Sequence, residues 1–303
     1  MSPLCFGTLT LGPLQARLSL EAGARLIRIA LERGINFFDT ADLYGTYPYL
    51  RQGLKGRQGE AVIAGKSYDY TAQGMERSLT RALKETGRDR IDLFLLHEQE
   101  SALTLKGHRE ALEYLFKARE KGLVRAVGLS THHVAAVRAA CRLPEIDVVH
   151  PIINMRGIGI QDGTREDMAR ALEEAAGKGM GIYGMKPLGG GHLIGEAREA
   201  FRYILGLPFL ASTAVGMQEE REIIVNCHYF SGELPPAALE DALAARKRRL
   251  LVHDWCEGCG KCLSACRRQA LYLAGGRVRV REESCFLCGY CGGSCPHFCL
   301  KIL

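Results

Sequence analysis

An eightfold alternation of short apolar runs with longer amphipathic segments fills roughly the first 230 residues of the chain. Parallel strands joined by crossover helices produce this pattern, and eight such units close a (β/α)8 barrel. The amphipathic segment Met75–Glu85, for example, follows the third run and has the spacing of a surface helix. The fold class is therefore predicted to be α/β, a (β/α)8 (TIM) barrel. The predicted strands are Leu4–Leu9, Ile35–Asp39, Ala61–Ala64, Ile91–Leu96, Val124–Leu129, Ile146–Val149, Gly181–Met185 and Phe209–Val215.

The length of 303 residues exceeds the roughly 250 of a barrel alone, so the chain has room for one further small domain. No apolar stretch is long enough to span a bilayer, and Met1–Thr10 lacks a secretion signal, so we expect a soluble cytoplasmic protein without a membrane partner. The net charge of +6 is spread among acids and gives no support for a nucleic-acid partner. The one basic run, 246–249, is typical of a solvated helix face or linker, with an acidic protein partner as the alternative.

Four polar residues follow three consecutive predicted strands: Asp39, Tyr44, Lys66 and His97. Side chains at the carboxyl ends of barrel strands converge on the barrel mouth, where such barrels carry out their chemistry. An ammonium group beside a phenol lowers its pKa, so Lys66 is expected to make Tyr44 a general acid near neutral pH. Asp39 would hold Lys66 in place, and His97 would orient a substrate oxygen. Taken singly, such residues also serve as helix caps or as buried, hydrogen-bonded core residues.

The segments Phe38–Gly45, Ile63–Lys66 and Ile91–His97 resemble, in order, the three catalytic segments of the aldo-keto reductase family. The resemblance extends from about Cys5 to Asn226. It implies a nicotinamide cofactor across the barrel mouth and hydride transfer to or from a small carbonyl or alcohol. It also implies that the four polar residues at the strand ends are the catalytic set.

Two further segments resemble the cofactor-binding parts of that family. Val127–Thr131 is similar to the stretch that binds the nicotinamide carboxamide, and Pro187–Gly191 is similar to the loop whose backbone amides face the pyrophosphate. The cofactor contacts that the resemblance implies are Thr8, Ser130, Thr131, His150, Asn154, Met185, Lys186, Leu188, Gly189, Gly216, Gln218, Glu222 and Asn226.

Three departures from the family pattern leave the cofactor open. Met185 stands where many members have an aromatic residue that stacks on the nicotinamide. Gly216 and Glu222 stand where many members have Lys and Arg for the 2′-phosphate, although Arg221 or Lys186 could compensate. NADP and NAD are therefore both candidates, and a flavin in the same cleft is a third.

Eight of the twelve cysteines form, within the last 50 residues, two runs of the same spacing, Cys-x2-Cys-x2-Cys-x3-Cys. This spacing is similar to that of bacterial two-cluster ferredoxins, in which the fourth Cys of each run ligates the other cluster. Two 4Fe-4S clusters are therefore predicted, with a pair of structural zinc sites as the alternative. The predicted ligands of the first cluster are Cys256, Cys259, Cys262 and Cys295. Those of the second are Cys285, Cys288, Cys291 and Cys266.

The domain prediction is a barrel over 1–232, a linker or helix over 233–254, and a small ferredoxin-like α+β domain over 255–303. The predicted function is an oxidoreductase of aldo-keto reductase type whose clusters exchange electrons with an external ferredoxin or another redox partner. One alternative is an electron-transfer adaptor or flavin-using reductase in which the barrel docks partners, and another is a redox-sensing barrel. Because a nicotinamide gives hydride rather than single electrons, the coupling to the clusters stays open.

Overall fold

The computed structural model describes residues 1–303, and its main feature is a closed barrel of eight parallel strands. Each strand pairs with the next, and the last pairs with the first through Leu4 opposite Thr213. All eight strands lie where the sequence pattern predicts them. They are β1 Leu4–Gly7, β2 Phe37–Asp39, β3 Val62–Ser67, β4 Ile91–Leu96, β5 Val124–Thr131, β6 Val148–Pro151, β7 Gly181–Met185 and β8 Ser212–Gly216.

Helices cover the outside of the barrel, and several begin at a side chain that caps the free backbone amides. Ser19 accepts a hydrogen bond from Ala22 N, and Thr71 accepts one from Gly74 N. The helices are α1 Leu20–Glu32, α2 Tyr47–Gly53, α3 Ala72–Thr86, α4 Ala102–Gly107, α5 Arg109–Glu120, α6 Val134–Ala140, α7 Arg165–Gly177, α8 Ala197–Leu205, α9 Glu220–Ser231 and α10 Ala237–Ala244. No helix is long and apolar enough to cross a membrane.

Two layers of apolar side chains form the barrel core. A large cluster of 50 buried residues fills the space between the strands and the helices, and a smaller one of 7 lies inside the barrel. Phe37 and Tyr183 meet edge to face in that inner layer, with 5.0 Å between ring centroids. The inner layer leaves the carboxyl ends of the strands free to carry polar side chains.

After the barrel, the chain forms a small unit of two two-stranded antiparallel sheets and two short helices. Its elements are β9 Leu250–Val252, α11 Lys261–Ala265, β10 Leu271–Ala274, β11 Arg277–Val280, α12 Tyr290–Gly293 and β12 Leu300–Ile302. Strand β9 pairs with β12, although β9 lies within the segment predicted as a linker. The domain division at 232 and 254 and the ferredoxin-like assignment stay predictions.

The small unit packs against the barrel mouth through β12. Its Leu300 carbonyl is 3.0 Å from His192 Nε2, and Ile302 lies against the loop after β7. Gly191 in that loop has φ +94°, and a side chain there would collide with the Ile302 carbonyl. The glycines of this loop therefore permit close packing of β12 as well as any approach of a ligand.

Candidate active site

A buried ion pair stands at the centre of the barrel mouth. Lys66 Nζ, on β3, donates to Asp39 Oδ2 at 2.6 Å and to the Thr40 carbonyl at 2.8 Å. Both charged side chains are almost fully excluded from solvent. Asp39 also accepts from the Tyr183 hydroxyl at 3.0 Å, and His150 Nε2 lies 3.5 Å from the same oxygen. The pair thus holds the ends of β2 and β3 in one fixed arrangement.

Tyr44 lies beside this pair on a one-turn 3-10 helix, Asp42–Tyr44, that follows β2. Its hydroxyl is 3.4 Å from His97 Nε2, and Lys66 Nζ is 5.3 Å from the centre of its ring. The structure therefore brings together all four residues that the sequence places at the strand ends.

The sequence predicts that Lys66 lowers the pKa of Tyr44, and this prediction is wrong. Burial, and after it the charge of Asp39, raise the pKa of the Tyr44 hydroxyl well above its usual value. The main reason is that burial disfavours the charged phenolate, and the carboxylates Asp39 and Glu98 disfavour it further. Tyr44 is consequently protonated at neutral pH and can donate a hydrogen bond or a proton.

His97 is neutral in the same setting. Burial and the nearby charges of Lys66 and Lys186 lower the pKa of its imidazole well below the usual value. Its ring stacks on Tyr68 with 4.2 Å between centroids, and its Nδ1 has no hydrogen-bond partner. A neutral imidazole with one nitrogen toward Tyr44 can share a proton with that hydroxyl.

Two clefts open from the barrel mouth. The first, called here the arginine cleft, has a volume of about 1020 Å³ when the space open to solvent is included. Strand ends β7 and β8 line it on the barrel side, through Met185 and Gly216 among others. Residues that follow the barrel complete it, namely Arg246, Arg248, Lys301, Ile302 and Leu303.

The second opening, called here the histidine cleft, is wider, with an open volume of about 1930 Å³. Tyr68, Glu98 and Gln99 form part of its barrel side, and Trp255, Pro296 and Phe298 of the small unit form part of the facing wall. It contains six of the nine histidines of the chain: His97, His108, His132, His133, His253 and His297. Only four residues line both clefts, namely Leu9, Tyr44, Lys186 and Lys301.

The thirteen predicted cofactor residues separate into two groups. Seven line the arginine cleft: His150, Met185, Lys186, Leu188, Gly216, Gln218 and Glu222. The others, Thr8, Ser130, Thr131, Asn154, Gly189 and Asn226, are buried and do not line it.

Four of the buried residues use their polar groups within the chain. Thr8 donates to the Asp39 carbonyl, and Thr131 donates to the Gln99 carbonyl. Ser130 accepts from the Glu98 amide, and Asn154 bonds the Ile158 main chain in both directions. These hydrogen bonds hold the loops around the cleft in place.

The basic run lies in the segment between α10 and β9, where Lys247 and Arg249 are exposed as predicted, but Arg246 and Arg248 line the arginine cleft. Arg246 donates to Glu222 at 2.8 Å and to the side chain of Gln218 at 2.7 Å. Glu222 is thus a neutralised carboxylate rather than a free one, which weakens the argument against a 2′-phosphate. The sequence shows the basic run, but it does not show that Arg246 pairs with Glu222 on α9.

Four cysteines of the small unit line one cavity with an open volume of about 380 Å³: Cys266, Cys285, Cys288 and Cys291. None of the twelve cysteines forms a disulfide. No group of three or more His, Cys, Asp or Glu side chains gathers closely enough to hold a metal ion. Of the four cysteines outside the two runs, Cys5, Cys141 and Cys299 are buried and Cys227 is half-buried, which is typical of small packing residues.

Comparison with known sequences bears on the barrel. The profile described as Aldo/keto reductase family matches residues 3–206, and this match ends before the first cysteine run. L-galactose dehydrogenase from Arabidopsis thaliana is 25% identical over 205 residues, which cover 64% of this chain and 63% of that protein. Chloroplastic pyridoxal reductase from the same plant is 34% identical over 121 residues, covering 34% of this chain and 33% of that protein. The chain thus spans less than two thirds of the length of either relative.

Solved structures resemble the whole barrel. A structure from Pseudomonas aeruginosa described as an aldo-keto reductase is 27% identical, with a TM-score of 0.63, and the match covers 80% of this chain and 91% of that one. The holo form of an aldo-keto reductase from Bacillus halodurans gives a TM-score of 0.65 with the same coverage. At 18% identity that second likeness concerns the fold alone.

Proposed function

Since the chain belongs to the aldo/keto reductase family, we propose that it transfers a hydride between a nicotinamide cofactor and a small carbonyl or alcohol. The observation that carries the proposal is the position of Tyr44. It lines both clefts, and its hydroxyl lies beside His97 while the Asp39–Lys66 pair supports its ring. A proton donor at the junction of two clefts can serve a carbonyl in one while a cofactor occupies the other.

The protonation states support the direction of the proton transfer. A bound nicotinamide would supply the hydride to the carbonyl carbon. Tyr44, kept protonated by burial, donates its proton to the carbonyl oxygen as the C=O double bond becomes a C–O single bond. Neutral His97 shares its Nε2 with the Tyr44 hydroxyl and so fixes the direction of that hydroxyl. The reverse reaction oxidises an alcohol at the same atoms.

The arginine cleft suits a dinucleotide. Its seven predicted cofactor residues support this assignment, with Met185 at the strand end where a ring could pack. Arg246 and Arg248 place two guanidinium groups near Glu222, and guanidinium groups bind phosphate well. We therefore favour NADPH over NADH, and no residue grouping in the cleft favours a flavin.

Two 4Fe-4S clusters are the second part of the proposal, and the grouping of the thiols supports it. Burial and the charges of Cys295, Cys256 and Cys259 raise the pKa of the Cys262 thiol to about 11. These are the four thiols assigned from the spacing to the first cluster. The four thiols assigned to the second cluster, Cys266, Cys285, Cys288 and Cys291, line one cavity of the small unit. A cubane spreads its ligands over the corners of a cage, so these thiols need not converge on one point.

The position of the small unit suggests what such clusters would do. Trp255 and Pro296 line the histidine cleft, and each is next in sequence to a predicted ligand of the first cluster, Cys256 and Cys295. The Trp255 indole also donates to the His297 carbonyl, which ties the two ligand segments together. We infer that the clusters exchange electrons with an external redox protein near the substrate opening.

Carbonyl reduction tests the first part. The anaerobically purified chain is assayed with NADPH and with NADH against a panel of small aldehydes and ketones, including the sugars suggested by the names of its relatives. Tyr44→Phe should lower kcat at least about 100-fold, the lower end for losing a general acid. Tyr47→Phe is the matched control, because Tyr47 is buried, has an unpartnered hydroxyl and lines neither cleft. Equal kcat for Tyr44→Phe and the wild type would exclude Tyr44 as the donor.

Iron content tests the second part independently. The purified chain should hold close to 8 iron atoms, as two 4Fe-4S clusters require, and show their visible absorption. Cys259→Ser should remove about half of both, whereas Cys227→Ser, on α9, should leave them unchanged. A chain that binds zinc in place of iron, or a Cys259→Ser variant with full iron, contradicts this part only.

A further inference from the structure

Lys301 is a buried amine whose nitrogen has no hydrogen-bond partner. It lies on β12 with 5% of its surface exposed, and its Nζ makes no hydrogen bond. Burial, and after it the charge of Lys186, lower the pKa of Lys301 well below its usual value. A buried polar group without an acceptor is rare unless something else satisfies it. Because Lys301 lines both clefts, its amine lies where a ligand can reach it.

Lys186 approaches the same place from the barrel. Its backbone has φ +57°, a left-handed conformation that is strained for a residue with a side chain. Its Nζ is 2.6 Å from His132 Nε2 and 4.8 Å from the centre of the Phe298 ring. Lys301 Nζ lies over the same ring, 2.9 Å from its centre. The terminal nitrogens of two lysines thus share one aromatic ring.

The carboxylates nearby have other partners. Glu98 accepts from the Tyr68 hydroxyl at 2.6 Å and lies 3.8 Å from His132, and Asp39 is paired with Lys66. No carboxylate bonds either lysine. Burial lowers the pKa of Lys186 to about 8, which leaves it largely charged at neutral pH.

We propose that Lys186 and Lys301 bind a carboxylate or phosphate group of the substrate, so that the chain takes small carbonyl compounds with an anionic end. The inference rests on the proposed function and names its substrate class. Substrate is favoured over the cofactor diphosphate because the neighbours of both lysines, His132 and Phe298, line the histidine cleft and not the arginine cleft.

Calorimetry tests binding without catalysis. The purified chain, with whatever iron it holds, is titrated at low salt with glutarate and with 1,5-pentanediol, which has the same length and no charge. Glutarate should bind saturably and pentanediol should not. Lys301→Met and Lys186→Met should each raise the glutarate Kd at least tenfold. Lys247→Met, an exposed lysine that lines neither cleft, is the control for loss of one positive charge and should leave the Kd unchanged.

A stability measurement separates a binding role from a structural one. If Lys301 is held for a ligand, Lys301→Met removes a buried amine that lacks a hydrogen-bond partner and should raise the midpoint of thermal unfolding in the absence of glutarate. A structural lysine would lower that midpoint. A lower midpoint together with an unchanged glutarate Kd overturns the proposal.

Three further outcomes distinguish a substrate anion from the cofactor diphosphate, and the anion site from the proposed function. If Lys301→Met weakens NADPH binding tenfold and leaves the glutarate Kd unchanged, the site belongs to the cofactor diphosphate and the proposal is wrong. If the chain turns over, the kcat/KM for succinic semialdehyde relative to butanal should fall at least tenfold in Lys301→Met. If the chain binds glutarate through both lysines but reduces no carbonyl, the proposed function fails and the anion site stands.

Discussion

Replacing Asp39 by Asn should destabilise the barrel far more than breaking an equally short surface ion pair. Asn keeps the size of the side chain and can still accept from the Tyr183 hydroxyl, but it leaves the Lys66 ammonium buried without a counter-charge. Removing one partner of a buried ion pair typically costs about 3–5 kcal/mol. The surface pair Arg109–Glu113 has a similar separation, 2.7 Å against 2.6 Å, yet both of its side chains are about half exposed. Breaking it by Arg109→Gln should cost at most about 1 kcal/mol.

Urea unfolding followed by far-UV circular dichroism measures both changes. The double variant Asp39→Leu with Lys66→Met, which removes both charges, should recover much of the loss seen with Asp39→Asn, because it leaves neither charge unpaired. If Asp39→Asn costs less than about 1 kcal/mol, like the surface pair, the Asp39–Lys66 pair does not fix the barrel mouth.

Three more predictions concern the clefts and their walls. Arg246→Met should raise the Kd for NADPH at least tenfold and change that for NADH less, as measured by cofactor fluorescence; equal losses would mean that Arg246 does not contact the 2′-phosphate. Lys186 loses its proton at a lower pH in the folded chain than in the unfolded chain. Between pH 8 and 10 its titration therefore increases the free energy of unfolding as the pH rises. Lys186→Met should therefore reduce the slope of unfolding free energy against pH relative to wild type, and an unchanged slope would contradict the lowered pKa. Gly191→Ala should lower the thermal midpoint by several degrees because of the positive φ and the Ile302 carbonyl, whereas exposed Gly195→Ala, with open space around it, should not.

Features encoded over a few neighbouring residues were predictable from the sequence. The eight strands were found because a buried parallel strand is a short apolar run between turn signals, and the pairing of Asp39 with Lys66 followed from their places at neighbouring strand ends. Tyr183, which bonds Asp39 and stacks on His150, was missed. Its inward direction could have been read from the alternation within β7, where every second side chain faces the barrel interior.

Contacts between distant segments were not predictable. Arg246, which follows α10, donates a hydrogen bond to Glu222 on α9. Lys301 and Lys186 both lie over the Phe298 ring, although Lys186 is more than 100 residues earlier in the chain. Where such side chains point is set by how the small unit packs on the barrel, and composition alone cannot give that. The pKa of Tyr44 was mispredicted for a related reason, because the ammonium was considered without its counter-ion and without burial.

The junction of the two clefts at Tyr44 is most directly tested by a crystal structure of the chain with the oxidised nicotinamide cofactor. We expect the cofactor in the arginine cleft, with its ring against Met185 and its reactive carbon toward the Tyr44 hydroxyl. A cofactor bound elsewhere, or one whose ring is separated from Tyr44 by protein, would contradict it.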